Sequence, residues 1–518
     1  MEKTKRKIEA VFPNIEVELL PRESRGDQLQ NIPLQTVEGS DFFTQDIFDA
    51  LQNGEADIAV HSLKDMSGSH FFGENKFAII ERDDVRDVAI FNSSVEEKIK
   101  LGETIIIGTC SPRREEMAIG FLRKALPQWN NDFTIETKMI RGNVDTRLRK
   151  LDAGEYDGIV LATAGINRLL ESECQPEPFE GNLTSRSSHF DELSVTKNLF
   201  KKTCQPEPVE GGLLIKNLLA NKKLIFLPLI ECVPAPCQGA IVAEAHYSNA
   251  QAVKVIEAIN NKNLMQQCIQ EKKAALQYGT GCLQKFGVTT IQYDGDKTVL
   301  YAAGTNEKDE SFTNWQGLPT INKDETLFSS SDYMSSFFSY DYSNKSISIS
   351  QQHVYVANYK AIRDEALIEQ LQNKTVWAAG SKTWFQLAKQ NIWVTGSADA
   401  FGLGFLEQAW RMPLIQINKN EVAIITSKQG AVTWNQKGWN TYATYELLFK
   451  EDATVKAKIS KSTTIFWTSF QQYQQYKSVV KSNAQHCCPS GETVYLFKEA
   501  GLHPIVFPNI KSFLQWKQ

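Results

Sequence analysis

The 518-residue chain has no uninterrupted run of about 18 apolar residues, so no transmembrane helix and no membrane partner are expected. Its first residues, MEKTKRKIEAVFP, lack the apolar stretch of a secretory signal. It has no basic excess: 56 Lys and Arg against 61 Asp and Glu leave a net charge of −5, which gives no field for nucleic acid. No Walker A loop and no GxGxxG fingerprint follows a strand, so nucleotide phosphate is disfavoured as ligand. Cysteine is sparse. The nine residues are scattered, odd in number and without metal-ligand spacing, which excludes a disulfide framework, gives no metal site and suits a reducing cytoplasm. Adjacent Cys487 and Cys488 read as packing residues.

What the chain does have is length for three or four domains and a long α/β pattern. IEVELL (15–20), ADIAV (56–60), KFAII (76–80), DVAIF (87–91), TIIIG (104–108), FTIETKMI (133–140) and YDGIVLAT (156–163) read as strands. FTQDIFDALQNG (43–54) has helical spacing and stops on Gly54. Such alternation predicts doubly wound, mostly parallel sheets, with ligands at the carboxyl ends of the strands. CQPEPFEG (174–181) recurs as CQPEPVEG (204–211) in a polar, Pro-, Glu- and Ser-rich stretch, which reads as a disordered insertion at 171–215. From about residue 262 a helical segment runs into YGTGCLQKFG (278–287), followed by a hairpin turning at Asp294–Gly295. Another α/β stretch begins near 373 and runs to the end.

Charge gathers where strands stop. DIAVHSLKD (57–65) ends in His61, Ser62, Lys64 and Asp65; IIIGTCSPRRE (105–115) brings Ser111 as N-cap, Pro112 at the first helical position, and Arg113 and Arg114 in the first turn. In IRGNVDTRLRKLDAG (140–154), Asp145 reads as a cap that puts Arg147 in a first turn, with Arg141 ahead of it; ATAGINRL (162–169) carries Arg168. Arginine in a helix's first turn opposes the helix dipole. Two helices sharing the anomaly at the ligand edge of a sheet suggest an anion cradle, best suited to several carboxylates on one ligand. The competing reading is that these arginines pair with acids of the protein itself. Asp65, a carboxylate within that cleft, is placed to stabilise positive charge developing on a substrate, unless it too sits in a structural ion pair. His61 reads as a packing histidine and Lys64 as a counter-charge.

ADIAVHSLKD, GTCSPRRE, RGNVDTRLRKLDAGEYDGIVLATAGINRL, PAPCQGAIVAEA and GTGCLQKFG stand in the order found in porphobilinogen deaminase (hydroxymethylbilane synthase), which the chain resembles from about residue 8 to 360. The resemblance implies a dipyrromethane cofactor held as a thioether by Cys282, the thiol in the glycine turn. It implies condensation of four porphobilinogen molecules with release of ammonia, then hydrolytic release of linear hydroxymethylbilane in heme biosynthesis. Arg113, Arg114, Arg141 and Arg147 match the family's carboxylate-binding positions around the cofactor, and Arg168 a substrate-binding one. Ser62, Lys64 and Ser111 match neighbouring cofactor contacts. Asp65 matches the catalytic aspartate that faces the pyrrole nitrogens and stabilises the cationic azafulvene. The implied fold is two doubly wound α/β lobes around a cleft plus a small α+β domain carrying the cysteine. The expected layout is 1–96 with 239–258 for the first lobe, 97–238 for the second, 259–362 for the cysteine domain and 366–518 for a further α/β domain, in a cytoplasmic monomer.

The chain departs from the family pattern in three places. It opens at a helix, without the strand and basic turn that usually come first; TVEGSDFF (36–43) lacks the lysine and glycine of the usual GGKGLF loop; and Cys110 stands where serine is common. The tail, with KNEVAIITSKQGAVTWNQKGWNTYATYELLF, TTIFWTSFQQYQQY and CCPSGETVYLFKEAGLHPIVFP, resembles uroporphyrinogen-III synthase. That resemblance implies a second activity, with Tyr445 near a tyrosine linked to it and Thr468 and Ser469 in a strand-end turn. The rival to the enzymatic reading is a truncated paralogue that binds pyrroles or a polyanion between its lobes without turning them over.

Overall fold

The computed structural model describes residues 1–21, 45–130, 132–173, 211–279, 284–321, 326–343 and 346–518. The CQPEPxEG repeats, the 36–43 loop and Cys282 lie outside these residues.

The chain begins with a helix, Glu2–Val11, and a second, Gln45–Gln52, which ends before Gly54 in the left-handed conformation (φ +70°). Strands β1 (Ile58–Ser62) and β2 (Lys76–Arg82) follow. The chain then crosses into a second lobe through β3 (Asp87–Asn92), β4 (Ile105–Gly108), β5 (Ile135–Lys138), β6 (Gly158–Ala162) and β7 (Lys222–Phe226). It returns through β8 (Ala240–Ala245), which pairs antiparallel with both β1 and β2. The second sheet has the order β5-β4-β6-β3-β7, with parallel pairs among β4, β5 and β6 and antiparallel pairs on either side of β3.

Three expectations are corrected here. Among the described residues the first lobe's sheet is three-stranded and antiparallel, not doubly wound, and 15–20 joins no ladder. Ile15 and Val17 pack against the cluster of Ile8, Ala78 and Ile80. Their alternation reports a buried face, and a buried face does not by itself supply a hydrogen-bonding neighbour. The crossing also comes earlier than residue 96: β3 belongs to the second lobe, because its neighbours on both sides are β6 and β7.

The helix Lys262–Ala275, capped by Asn261, leads into an antiparallel meander of β9 (Lys285–Tyr293), β10 (Lys297–Thr305) and β11 (Ser311–Gln316). Its first hairpin turns at Asp294–Gly295, both with positive φ, as the Asp-Gly pair predicts.

The tail unit starts well before residue 366. Strands β12 (Leu327–Ser329), β13 (Phe338–Tyr342), β14 (His353–Val356), β15 (Thr375–Ala378), β16 (Val394–Ser397), β17 (Val422–Ser427), β18 (Asn440–Phe449), β19 (Thr464–Phe466), β20 (Gln485–Pro489) and β21 (Ile505–Phe507) form two sheets. One is parallel, β12-β19-β20-β21; the other, β13-β18-β17-β14-β15-β16, is parallel except where β13 meets β18. The chain enters the four-stranded sheet at β12, crosses at β13, and returns at β18. Residues 327–356 therefore belong with the tail, since their ladder partners lie more than a hundred residues further on, or in the tail itself. Short-range periodicity carries no trace of such partners.

The tail unit shares its core with the lobes. Trp384 stacks edge-on against Phe121 and donates its indole N–H to the Ala125 carbonyl (3.0 Å); Trp393 donates to Leu224 (3.1 Å); Trp377 lies on Phe226. Among the described residues no helix is long and apolar enough to cross a membrane.

Candidate active site

The site forms where loops of the two lobes meet. Strand β1 runs into a short 3₁₀ helix, Leu63–Asp65, so that Lys64 and Asp65 leave the sheet on consecutive residues. His61 stays behind as a buried anchor. Its Nε2 lies 3.0 Å from Glu244 on β8, which also meets His70 (2.8 Å) and Asn75 (2.6 Å). Burial disfavours the Glu244 charge, but the hydrogen bonds from His61, His70 and Asn75 outweigh it and bring its pKa down to about 2. This knot pins the loop that follows Asp65, and it agrees with His61 as a hydrogen-bonding residue.

The helix Pro112–Ala125 starts as expected, with Ser111 as N-cap and Pro112 in its first turn; the Ser111 hydroxyl makes no capping bond. Arg113 and Arg114 point inward and are both buried. They converge on one carboxylate, Asp87, at the head of β3. Each donates to a different oxygen at 2.8 Å, while Gln238 adds a third bond at 2.9 Å. Arg113 also donates to the Val233 carbonyl (2.7 Å) and Arg114 to that of Val160 (3.2 Å). Asp87 is buried against ionisation, yet the two guanidiniums hold its pKa well below the usual carboxylate range. The first-turn arginines thus have an internal acid as partner, the competing reading of the sequence. Asp87 escapes a motif search. Its one signal is an acid opening a strand, DVAIFN, whose first five residues are all buried; a charge there needs a partner.

The other arginines differ. The helix Val144–Asp152 is capped by Asn143, which accepts from Thr146 (3.3 Å), not by Asp145. Asp145 sits one residue inside and faces Arg149 (3.5 Å). Asparagine wins because its position lies just outside the helix, where a side-chain oxygen reaches the first amides. Arg147 donates from Nε to the Gly142 carbonyl (2.6 Å). Arg141 is buried, and its Nε and one terminal nitrogen have no hydrogen-bond partner; the same holds for Nε of Arg114 and Nε of Arg168. Arg168 donates to the Gly239 carbonyl and lies nearest to Asp83, Glu81 and Glu171, apart from the rest.

Lys64, Asp65, Arg113, Arg114 and Asp87 share one electrostatic neighbourhood. Burial pushes the Lys64 ammonium below its ordinary value; Asp65 and Asp87 oppose that, and Arg114 and Arg113 reinforce it. Burial likewise lowers Arg147; Cys110 opposes this by accepting a hydrogen bond, while Arg114 and Arg141 add to it. Burial is the main cause of both shifts, and the neighbouring guanidiniums add repulsion to it. A ligand with several carboxylates would relieve that repulsion and satisfy the orphaned nitrogens, so the residues present fit a dipyrromethane. No group of His, Cys, Asp and Glu among the described residues could hold a metal ion.

Tyr445 is not a solvent-facing group. On β18 it packs between Tyr340 and Tyr342, and burial, together with those two rings, pushes its hydroxyl up to about 12. Ser469 caps the helix Phe470–Tyr476 in a capping box with Gln472, whose carbonyl oxygen also accepts from Thr468 (2.9 Å) and Ser330 (2.8 Å). These four residues form a polar cluster tying the end of β12 to the end of β19, at a distance in the chain that the sequence pattern could not bridge.

Residues 1–188 match the family model for porphobilinogen deaminase, dipyromethane cofactor binding domain. The match supports tetrapyrrole biosynthesis as the setting and dipyrromethane as the group this region is built to hold. Among solved structures, the chain is similar to one from Streptococcus mutans described in work on glutathione import (10% identity, 55% of this chain and 87% of that one, TM-score 0.25). It is also similar to YhfZ from Shigella flexneri (12%, 53% and 85%, TM-score 0.23). A third is an amino acid ABC transporter substrate-binding protein from Streptococcus pneumoniae bound to L-arginine (11%, 53% and 82%, TM-score 0.24). Likenesses this low in TM-score carry nothing about the ligand of this chain.

Proposed function

We propose that this chain is a hydroxymethylbilane synthase, condensing four porphobilinogen molecules with loss of ammonia at each step and freeing the linear tetrapyrrole by hydrolysis. The observation that carries the reading is that the region matching the deaminase model contains buried guanidinium nitrogens, above all those of Arg141, without partners of their own. A dipyrromethane bound through Cys282 would supply the primer to which substrate is joined. The protein's part is binding and charge. Arg141, Arg147 and Arg168 take acetate and propionate groups by charge-assisted hydrogen bonds. Arg113 and Arg114, fixed on Asp87, contribute field and Arg114 one remaining donor. Asp65 offers a carboxylate to the positive charge that develops on the substrate as ammonia leaves, a preorganised electrostatic stabilisation. Lys64, next to it, balances the acid and faces the ligand's carboxylates; Ser62 and Ser111 close the rim.

The test is the intact mass of protein from a host that makes porphobilinogen. An added mass of two linked pyrrole units on the peptide around Cys282, absent from Cys282→Ser, is expected. An unmodified protein that nevertheless binds porphobilinogen would favour the non-catalytic paralogue.

For the tail we propose a uroporphyrinogen-III synthase. The reading is supported by two α/β lobes linked by neighbouring crossing strands, β13 and β18, which residues 366–518 alone would not complete. The isomer composition of the uroporphyrinogen formed tests it: isomer III is expected, and isomer I alone would rule the activity out.

A further inference from the structure

One acid is out of place for any reading so far. Asp399 follows β16 in the tail unit, is fully buried, and together with Ala400 forms two successive non-glycine residues in the left-handed region (φ +51° and +61°). Such backbone is strained and is held only where the surroundings fix it. The strained turn aims a carboxylate out of its own unit. One oxygen accepts the Leu229 backbone N–H (3.0 Å), the other the Ser397 hydroxyl (3.1 Å). The charged and titratable groups facing it are Arg86, Glu231, Cys232 and Tyr301. Burial, with Glu231 adding to it, raises its pKa to about 7 against the opposing Leu229 amide, Arg86 and Ser397.

Leu229 belongs to the 227–238 loop between β7 and β8, and this loop frames the arginine site. Its Val233 carbonyl holds Arg113, its Gln238 holds Asp87, and Leu227 N–H donates to the Asp87 carbonyl (2.9 Å). Other units grip the same loop. Tyr301 of the meander donates to the Ile230 carbonyl (3.2 Å), and Lys511 from the far lobe of the tail pairs with Glu231 (2.6 Å). The pairing at Glu231 is exposed and weak, and the bond at Ile230 comes from outside the tail. Leu229, Ile230 and Val233 also share a buried apolar cluster with Phe401, Trp467 and Phe470 of the tail; among the described residues, the buried polar contact from the tail to this loop is the bond of Asp399 to Leu229.

We propose that Asp399 of the tail unit is a positioning residue for the arginine site of the lobes, acting through the 227–238 loop. Its effect on turnover rests on the deaminase reading; its effect on the loop does not. Amide hydrogen exchange over 227–238 and ammonia release from porphobilinogen are compared in the full-length wild type, Asp399→Ala and Asp399→Asn. Alanine is expected to speed exchange of that segment by about tenfold to a hundredfold, the effect of leaving the buried Leu229 N–H unpaired. It should also lower kcat with the dipyrromethane mass retained. Asparagine, which keeps an oxygen for Leu229, is expected to restore both. Unchanged exchange in Asp399→Ala, faster exchange with unaltered turnover, or failure of asparagine to restore either one overturns the proposal. If alanine does not fold, Ser397→Ala, which removes the hydroxyl steadying Asp399, takes its place, with a smaller increase confined to 227–238 expected and no change decisive against. A wild type that releases no ammonia would remove the deaminase reading, while exchange would still decide whether Asp399 holds the loop.

Discussion

Asp87→Ala tests whether the paired arginines are a structural clamp. The substitution leaves two buried guanidiniums, each of which had donated to the carboxylate at 2.8 Å, without a counter-charge. Removing one partner of a buried ion pair costs about 3–5 kcal/mol, because the remaining charge stays desolvated. Two cations sharing one acid place the loss toward the upper part of that range. For a cooperative unit of 150–250 residues the corresponding fall in melting temperature is about 6–20 °C. Asp87→Asn keeps the shape and one acceptor and should lose about half as much. The pH dependence follows from the depressed folded pKa. The contribution is complete above the unfolded carboxylate value near 3.9 and disappears only as pH falls through the lower folded value. The gap between wild type and Asp87→Ala in calorimetric scans should therefore stay level from about pH 5 to 8 and close in strong acid. A variant melting within about 2 °C of wild type, or a gap that varies across neutral pH, would refute the clamp.

Three further outcomes follow from other contacts. Asp65→Ala should slow ammonia release by about a hundredfold to a thousandfold with melting unchanged, since Asp65 makes none of the described core contacts; a parallel loss of stability would reassign it to an ion pair. Glu244→Gln should cost up to about 3 kcal/mol at neutral pH. Because the folded pKa is lowered to about 2, the loss relative to wild type should fade as pH falls from about 4.5 toward 2, read by calorimetry. Trp384→Ala should cost about 3–5 kcal/mol; because the indole lies between the tail and the second lobe, both should melt earlier, and an unshifted lobe transition would count against a shared core.

What the sequence made legible was local. The Asp294–Gly295 hairpin, the Ser111–Pro112 helix start, the helix end before Gly54 and most strands of the lobes were visible because their signals lie within a few residues of one another. What escaped depended on partners far along the chain. Strand β3 lines up with β6 and β7, not with the lobe it follows. The β12 and β13 strands find their places against β19 and β18. The segment 15–20 has a strand's alternation but no ladder. Asn143 displaced Asp145 as cap through a shift of two positions, a difference that composition cannot resolve. At the site, the arginines were found and their division was not. That Arg113 and Arg114 are engaged while Arg141 keeps buried donors unsatisfied depends on Asp87, which precedes Arg113 by twenty-six residues and carries no motif.

On the proposed deaminase reading, that division would let the site take a lengthening polyanion without collapsing when it is absent. Arg113, Arg114, Arg141, Arg147 and Lys64 lie within reach of one another's charge, and burial makes their repulsion worse. Asp87 neutralises part of the charge at the base, where the two guanidiniums are also tied to the carbonyls of Val233 and Val160. Those bonds make the base rigid and leave the excess at Arg141 and Arg147, around Gly142 and the start of the next helix. On that reading, a ligand would meet a fixed base and the less engaged guanidiniums of Arg141 and Arg147. The carbonyl of Val233 belongs to the loop that Asp399 holds from the tail, so the rigidity of the base is shared between the two halves of the chain. Cutting the tail away would expose Trp377, Trp384 and Trp393 contacts on the second lobe and release Leu229 together. The lobes expressed alone should therefore lose arginine geometry as well as stability, with faster exchange over 227–238 even below their melting temperature.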